Sequence, residues 1–168
     1  MGCERLLVQV ESPRLMDNPY YERLINAAIR FVSFRPRSEH ELREFLLKKP
    51  NHQDIEKVIL RMRELGYADD EKFASWWVQQ RTAFRPKGNR VITMELKAKG
   101  VADEVIASAL ASRGSESLLA AARQAVARKM PLWSKLPNMA RRKKIYDYLG
   151  RRGFDGATIG KLIDGGAD

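Results

Sequence analysis

A chain that repeats one helical pattern at a fixed spacing is constrained to fold as an array of like units. Here an echo reveals the pattern: Phe-Arg-Pro-Arg-Ser at residues 34–38 returns as Phe-Arg-Pro-Lys-Gly at 84–88. From those phrases the two copies run in parallel. Leu42 and Leu46 match Ile92 and Leu96, each pair four residues apart, and Lys49-Pro50 matches Lys99-Gly100. A third copy lacks the Phe-Arg-Pro phrase but keeps Ile145 and Leu149, closed by Arg152-Gly153. Apolar residues at i and i+4 lay one stripe along a helix. A cation in the last turn suits the helix dipole, Gly accepts a left-handed exit, and Pro refuses to continue. A second amphipathic run follows each closing pair: Ile55, Val58 and Ile59, then Val105, Ile106, Ala109 and Leu110, then Ile159, Leu162 and Ile163.

Each copy also has a helical stretch before it, YYERLINAAIRFVSF, DDEKFASWWVQQRTAF and SESLLAAARQAVARKM. Three units of three helices, nine in all, therefore account for residues 20–164. Ser38 followed by Glu41 is a capping box, and Asp69, Ser115, Asp103 and Asp155 stand where helices open, with Gln53-Asp54 in the corresponding stretch of the first copy. The two Phe-Arg-Pro phrases are hinges, Pro ending one helix and Ser or Gly starting the next. LLVQV at residues 6–10 is the one strand candidate. The expected fold is all-α, an elongated array of three tandem three-helix repeats, with an extension at 1–19 and units at 20–68, 69–113 and 114–168. A unit of this size is near the lower limit for burying its own core, so neighbours should pack end to end.

Charge narrows the function. The formal net charge is +10, and it is graded: zero over residues 1–70, +3 over 71–112 and +7 over 113–168. Such an excess points to a polyanionic or acidic partner. Cys3 is the single cysteine, so no internal disulfide forms, as suits a reducing compartment. No apolar run approaches a membrane span and no signal peptide is visible, so a soluble cytoplasmic monomer without membrane contact is expected.

The motifs of enzyme chemistry are missing: no P-loop, no G-x-G-x-x-G and no G-x-S-x-G elbow. His40 and His52 have no cysteine near them, which argues against zinc. A magnesium-dependent nuclease could draw on Glu39, Glu41, Glu44, Asp69 and Asp70. Capping explains Glu41, Asp69 and Asp70 more simply, and pairing with Lys48 explains Glu44. Binding without a cofactor is the expectation.

The cations recur with the repeat. Lys49, Lys99 and Arg152 share one slot, Lys48 and Arg151 the position before it, and Arg35/Arg37 and Arg85/Lys87 the hinges. Arg90 and Lys97 lie beside them in the second copy, and Arg141, Arg142, Lys143 and Lys144 crowd the corresponding part of the third. Stacked with a constant rotation, these would form one basic stripe, the footprint for a phosphate backbone or an acidic protein groove. Trp77, four residues after Phe73, reads as core; Trp76 is less settled, and Trp133 lies in the Pro-bounded loop PLWSKLP.

RELGYADDEKFASWWVQQR, GNRVITMELKAKGV and YDYLGRRGFDGATI, in that order, resemble the RecX regulatory proteins, as does AAIRFVSFRPRSEHELREFLLKK before them. The resemblance implies a small all-α protein of tandem three-helix repeats. It also implies binding along the groove of the RecA filament on DNA, single- or double-stranded and without sequence preference, with inhibition of ATPase, strand exchange and filament growth. The alternative is a helical DNA-binding protein with no recombinase partner. Pro50, in place of the Gly of the other copies, departs from the pattern.

Overall fold

A computed structural model describes residues 19–50 and 52–165. Cys3, the strand candidate at 6–10 and all but Pro19 of the extension lie outside the described residues. The first unit holds α1 (Pro19–Ser33), α2 (Glu39–Leu47), a short 3-10 turn (His52–Asp54) and α3 (Ile55–Glu64). The second holds α4 (Asp70–Ala83), α5 (Asn89–Lys97) and α6 (Asp103–Ala111), and the third α7 (Ser115–Ala127), α8 (Met130–Trp133), α9 (Asn138–Arg151) and α10 (Gly156–Asp164). The fold is the all-α array of three-helix repeats that the periodicity demands, and among the described residues every regular element is helical.

The repeat leucines and isoleucines build three separate cores. Leu42 and Leu46 pack with Leu24, Val58 and Met62; Ile92 and Leu96 with Phe73 and Ile106; Ile145 and Leu149 with Ala122, Phe154 and Ile159. Each of those six repeat positions is at most 2% exposed, so deleting any one leaves a cavity rather than a solvated dent. Trp76 and Trp77 both lie against the second core, their rings 6.0 and 5.8 Å from Phe73.

Three expectations are corrected. The PLWSKLP stretch is not all loop: Pro131 lies in the first turn of the one-turn α8, a tenth helix among the described residues, and Trp133 packs edge-on to Tyr148 at 5.4 Å. Helix α9 begins a full turn before the position that the repeat predicts, so the 141–144 cations lie inside a helix and not at a hinge. Of the expected caps, Ser38, Asp69 and Asp155 accept the N–H of the third helical residue, whereas Asp103 and Ser115 each fall one position inside helices opened by Ala102 and Gly114. Asp54 opens α3 with no side-chain cap, and Asp103 pairs with Lys97 at 2.8 Å.

The hinges explain why the phrase occurs twice. The Ser38 hydroxyl accepts the Glu41 N–H at 3.1 Å and donates to the Lys99 carbonyl of the next unit at 2.7 Å. Beside it, the Glu39 N–H donates to the Asp70 carboxylate at 2.8 Å, and the His40 side chain lies where a Cβ on Gly100 would be. One unit later the place of the serine hydroxyl is taken by backbone amides. The Gly88 N–H donates to the Arg152 carbonyl at 2.9 Å and the Arg90 N–H to the Gly153 carbonyl at 3.3 Å. A Cβ on Gly88 would overlap the Gly153 backbone, so serine fits the first hinge and only glycine the second. Each hinge thus starts its own helix and seats it on the next unit's exit turn.

Candidate functional site

The slot shared by Lys49, Lys99 and Arg152 is therefore part of the jointing surface. Lys99 Nζ is 2.6 Å from Glu41 of the preceding unit and 4.5 Å from the centre of the Trp77 ring. Arg152 Nη1 donates to the Pro86 carbonyl at 3.0 Å and its guanidinium covers the Tyr148 ring at 4.8 Å. Lys49 stands over the Phe45 ring at 4.6 Å. The three cations occupy equivalent places, each on an aromatic ring, and two of them reach oxygens of the unit before.

Other cations of the expected stripe are engaged nearby. Arg35 holds Glu41 in a forked pair, 3.0 and 3.2 Å, while Arg37 covers the Phe31 ring at 4.0 Å. Lys87 pairs with Glu95, which also takes Arg81 Nε at 2.7 Å and Trp77 Nε1 at 2.9 Å. Arg90 donates to the Gly150 carbonyl at 2.7 Å, Lys97 pairs with Asp103, and Arg142 pairs with Asp164 at 2.7 Å. Arg141 is half-buried. Lys48, Arg85, Lys143, Lys144 and Arg151 are exposed, and among the described residues they enter no ion pair. Lys143 and Lys144 follow the unfavourable, positive end of α9, whose first turn carries no acid, so helix stability does not account for them.

Four of the five carboxylates considered for a metal are engaged in the scaffold. Burial pushes the Glu41 carboxyl up, but the hydrogen bonds and charges of Arg35 and Lys99 overcome it and hold it at about 2. Glu39 is held down chiefly by Arg63, at 2.6 and 2.7 Å, with Arg43 helping against the cost of burial. Asp69 caps α4, and Asp70, pushed up by burial, accepts the Glu39 amide. Glu44 is exposed and does not reach Lys48. Among the described residues no group of three metal-binding side chains converges, and no helix is long and apolar enough to cross a membrane.

Family models for the first, second and third three-helix domains of RecX match residues 25–62, 69–110 and 116–163. The chain belongs to the RecX family. A regulatory protein RecX from Prosthecochloris aestuarii is 35% identical over 141 residues, 83% of this chain and 91% of that one. Another, from Mycolicibacterium smegmatis, is 39% identical over 104 residues, 61% of this chain but only 53% of the relative's length. The fold is also that of the RecX crystal structure from Lactobacillus salivarius, at TM-score 0.78 and 23% identity, covering 86% of this chain and 95% of that chain.

Within this RecX-family array, sequence reasoning missed two residues that hold the joints. Asp70 reads as a local cap, yet it caps the helix of the neighbouring unit. Arg113, 6% exposed, donates from Nη1 to the Lys87 carbonyl at 2.8 Å and to Asn89 at 3.0 Å, pinning the second hinge. Burial lowers its pKa. A lone arginine after a helix carries no sequence signal of that kind.

Proposed function

We propose that this chain is a non-enzymatic modulator that binds the RecA filament on DNA and inhibits ATP hydrolysis, strand exchange and filament growth. It would act as a cytoplasmic monomer without a cofactor, in recombination, DNA repair and the SOS response. The observation that carries the reading is the presence of three RecX-type units in tandem along one chain. Units repeated along one body suit a partner that repeats its own subunits, because several weak contacts made together add as avidity. That arrangement favours an assembled filament over a free recombinase subunit.

The exposed Lys48, Arg85, Lys143, Lys144 and Arg151 supply the part of the interface directed to phosphate or to acidic protein surface. The engaged cations, Arg35, Arg37, Lys49, Lys87, Arg90, Lys97, Lys99, Arg141, Arg142 and Arg152, set the shape of that face and add to its field. Titration of the chain into RecA hydrolysing ATP on single-stranded DNA tests the proposal. Inhibition is expected well below one chain per recombinase subunit; a requirement for enough chain to cover the DNA would instead favour the plain DNA-binding alternative. Lys143→Ala with Lys144→Ala should weaken inhibition while helix content by circular dichroism stays unchanged. On duplex DNA, removing one cation–phosphate interaction should flatten the slope of log affinity against log salt by about 0.9.

A further inference from the structure

Two clefts of similar size mark the two joints. The first, about 350 Å³, lies between the end of α1 and the start of α4, and its lining includes Arg35, Gly66, Asp69 and Lys72. The second, about 370 Å³, lies between α4 and the start of α7, and its lining includes Ser75, Gln79, Thr82, Ser112, Arg113 and Ser117. Their places correspond. Asp69 is the N-cap of α4 and Gly114 that of α7, so Lys72 and Ser117 are each the third helical residue. Gly66 and Arg113 each stand two residues past the helix that closes their unit, α3 and α6.

The chemistry at these places differs. In the first cleft the Asp69 carboxylate accepts the Lys72 amide at 2.9 Å and pairs with the Lys72 ammonium at 2.9 Å. In the second that seat is open: α7 has no side-chain cap, and a Cβ on Gly114 would meet nothing within 4 Å. A cation has meanwhile come in at the place of Gly66. Arg113 is 6% exposed; Nη1 is held by the Lys87 carbonyl and Asn89, but Nε and Nη2 are buried without a hydrogen-bond partner, and the side chain enters no ion pair. No acid stands in the lining, and Glu116, in the first turn of α7, is exposed outside it. A buried guanidinium without a counter-charge is costly, and an uncapped helix start leaves amides to be satisfied. A single anion between them answers both.

We propose that this second cleft binds a phosphate group, free or as a small monoester, which accepts the Ser117 amide in the way that Asp69 accepts that of Lys72, and which supplies the counter-charge that Arg113 lacks. The cleft lies at the low end of the range of about 300–1,000 Å³ that small-ligand sites occupy. Thr82 and Ser112 donate to the Val78 and Ala109 carbonyls, whereas the Ser75 and Ser117 hydroxyls and the Gln79 amide make no side-chain hydrogen bond among the described residues. Free donors thus stand on both α4 and α7. A tetrahedral phosphate at a helix start has oxygens for both walls, where a planar carboxylate has fewer. Bound there, it ties the second unit to the third and tightens their joint.

The site does not rest on the recombinase reading, and its test contains no recombinase, so the two can fail separately. The full chain in chloride buffer is titrated with inorganic phosphate by calorimetry at constant ionic strength. Saturable binding of a single phosphate is expected. Gln79→Glu, which puts an acid into the lining, should weaken it by at least about tenfold. Ser117→Ala, which removes a donor, should weaken it by about threefold or more. Both positions are exposed, so helix content by circular dichroism should stay unchanged. Phenyl phosphate that displaces the ion identifies monoesters as ligands; phenyl phosphate that fails to displace it identifies the free ion, and the site stands in both cases. Absence of saturable binding, or binding indifferent to both variants, overturns the proposal. So does displacement of the phosphate by an oligothymidine without a terminal phosphate, which makes the cleft a seat for a nucleic-acid backbone.

Discussion

At Gly153 two demands fall on one residue. Its backbone turns left-handed, φ 84°, and a Cβ there would lie 2.5 Å from the Val91 nitrogen of the unit before. Gly153→Ala should therefore lose at least about 1 kcal/mol from the backbone alone, and more from displacement of the second hinge. Gly150, one turn earlier in α9, has open space around it, so Gly150→Ala should be neutral or gain roughly 0.5–1 kcal/mol. Urea melts of the two variants check this; equal effects would mean that the joint does not press on Gly153. The closing glycines were legible as helix exits from a preceding cation and the end of the apolar stripe. Their second duty was not, because the hinge they receive lies about 60 residues away in the chain. Pro50 makes the same point in reverse: among the described residues no helix start seats on it, and a residue that cannot turn left-handed is tolerated.

For α2 the capping box was legible from Ser38 and Glu41 alone, since a cap is a contact made within four residues. That the same two side chains reach the second unit was not. The joint makes the start of this helix sensitive to acid. Glu41 is held at about 2, below the ordinary carboxylate value, so its contribution is present above pH 5 and fades as the pH falls toward 2. That contribution amounts to roughly 3 kcal/mol at its upper bound. Asp70, raised by burial, titrates in the opposite sense and offsets part of the loss. Denaturant melts at pH 7 and pH 3 should show Glu41→Gln less stable than the parent at pH 7, with the gap at pH 3 narrowed to less than half but not closed. An unchanged gap between the two pH values would deny Glu41 its role. Helix α9 differs from its counterparts for a related reason. Without a Phe-Arg-Pro hinge, nothing stops the helix from extending back to Pro137, and the basic run becomes a helical face.

Across the whole molecule, three small cores are coupled through their joints and, between units two and three, through α4 against α7, so damage should spread to neighbours and not uniformly. Leu96 is fully buried in the unit flanked on both sides, and Leu96→Ala should cost about 2–5 kcal/mol. Hydrogen exchange should then quicken at both the Glu39 and Gly88 amides, which mark the two joints. Leu46→Ala, in the first unit, should quicken Glu39 and spare Gly88. Equal acceleration of both by either variant would show a single cooperative body instead.

The amino-acid sequence alone determined the nine repeat helices, their threefold recurrence and the buried stripe, because each rests on spacing within one turn or one repeat, while its motifs carried the resemblance to the family. Which cations face outward was decided only by the tertiary structure. Lys99 and Arg152 recur in sequence as a positive ridge would, yet the jointing of units turns them toward acceptor oxygens of their neighbours. Sequence periodicity fixes which positions are equivalent, but it cannot say whether an equivalent face meets solvent or the next unit, since that depends on the rotation between units.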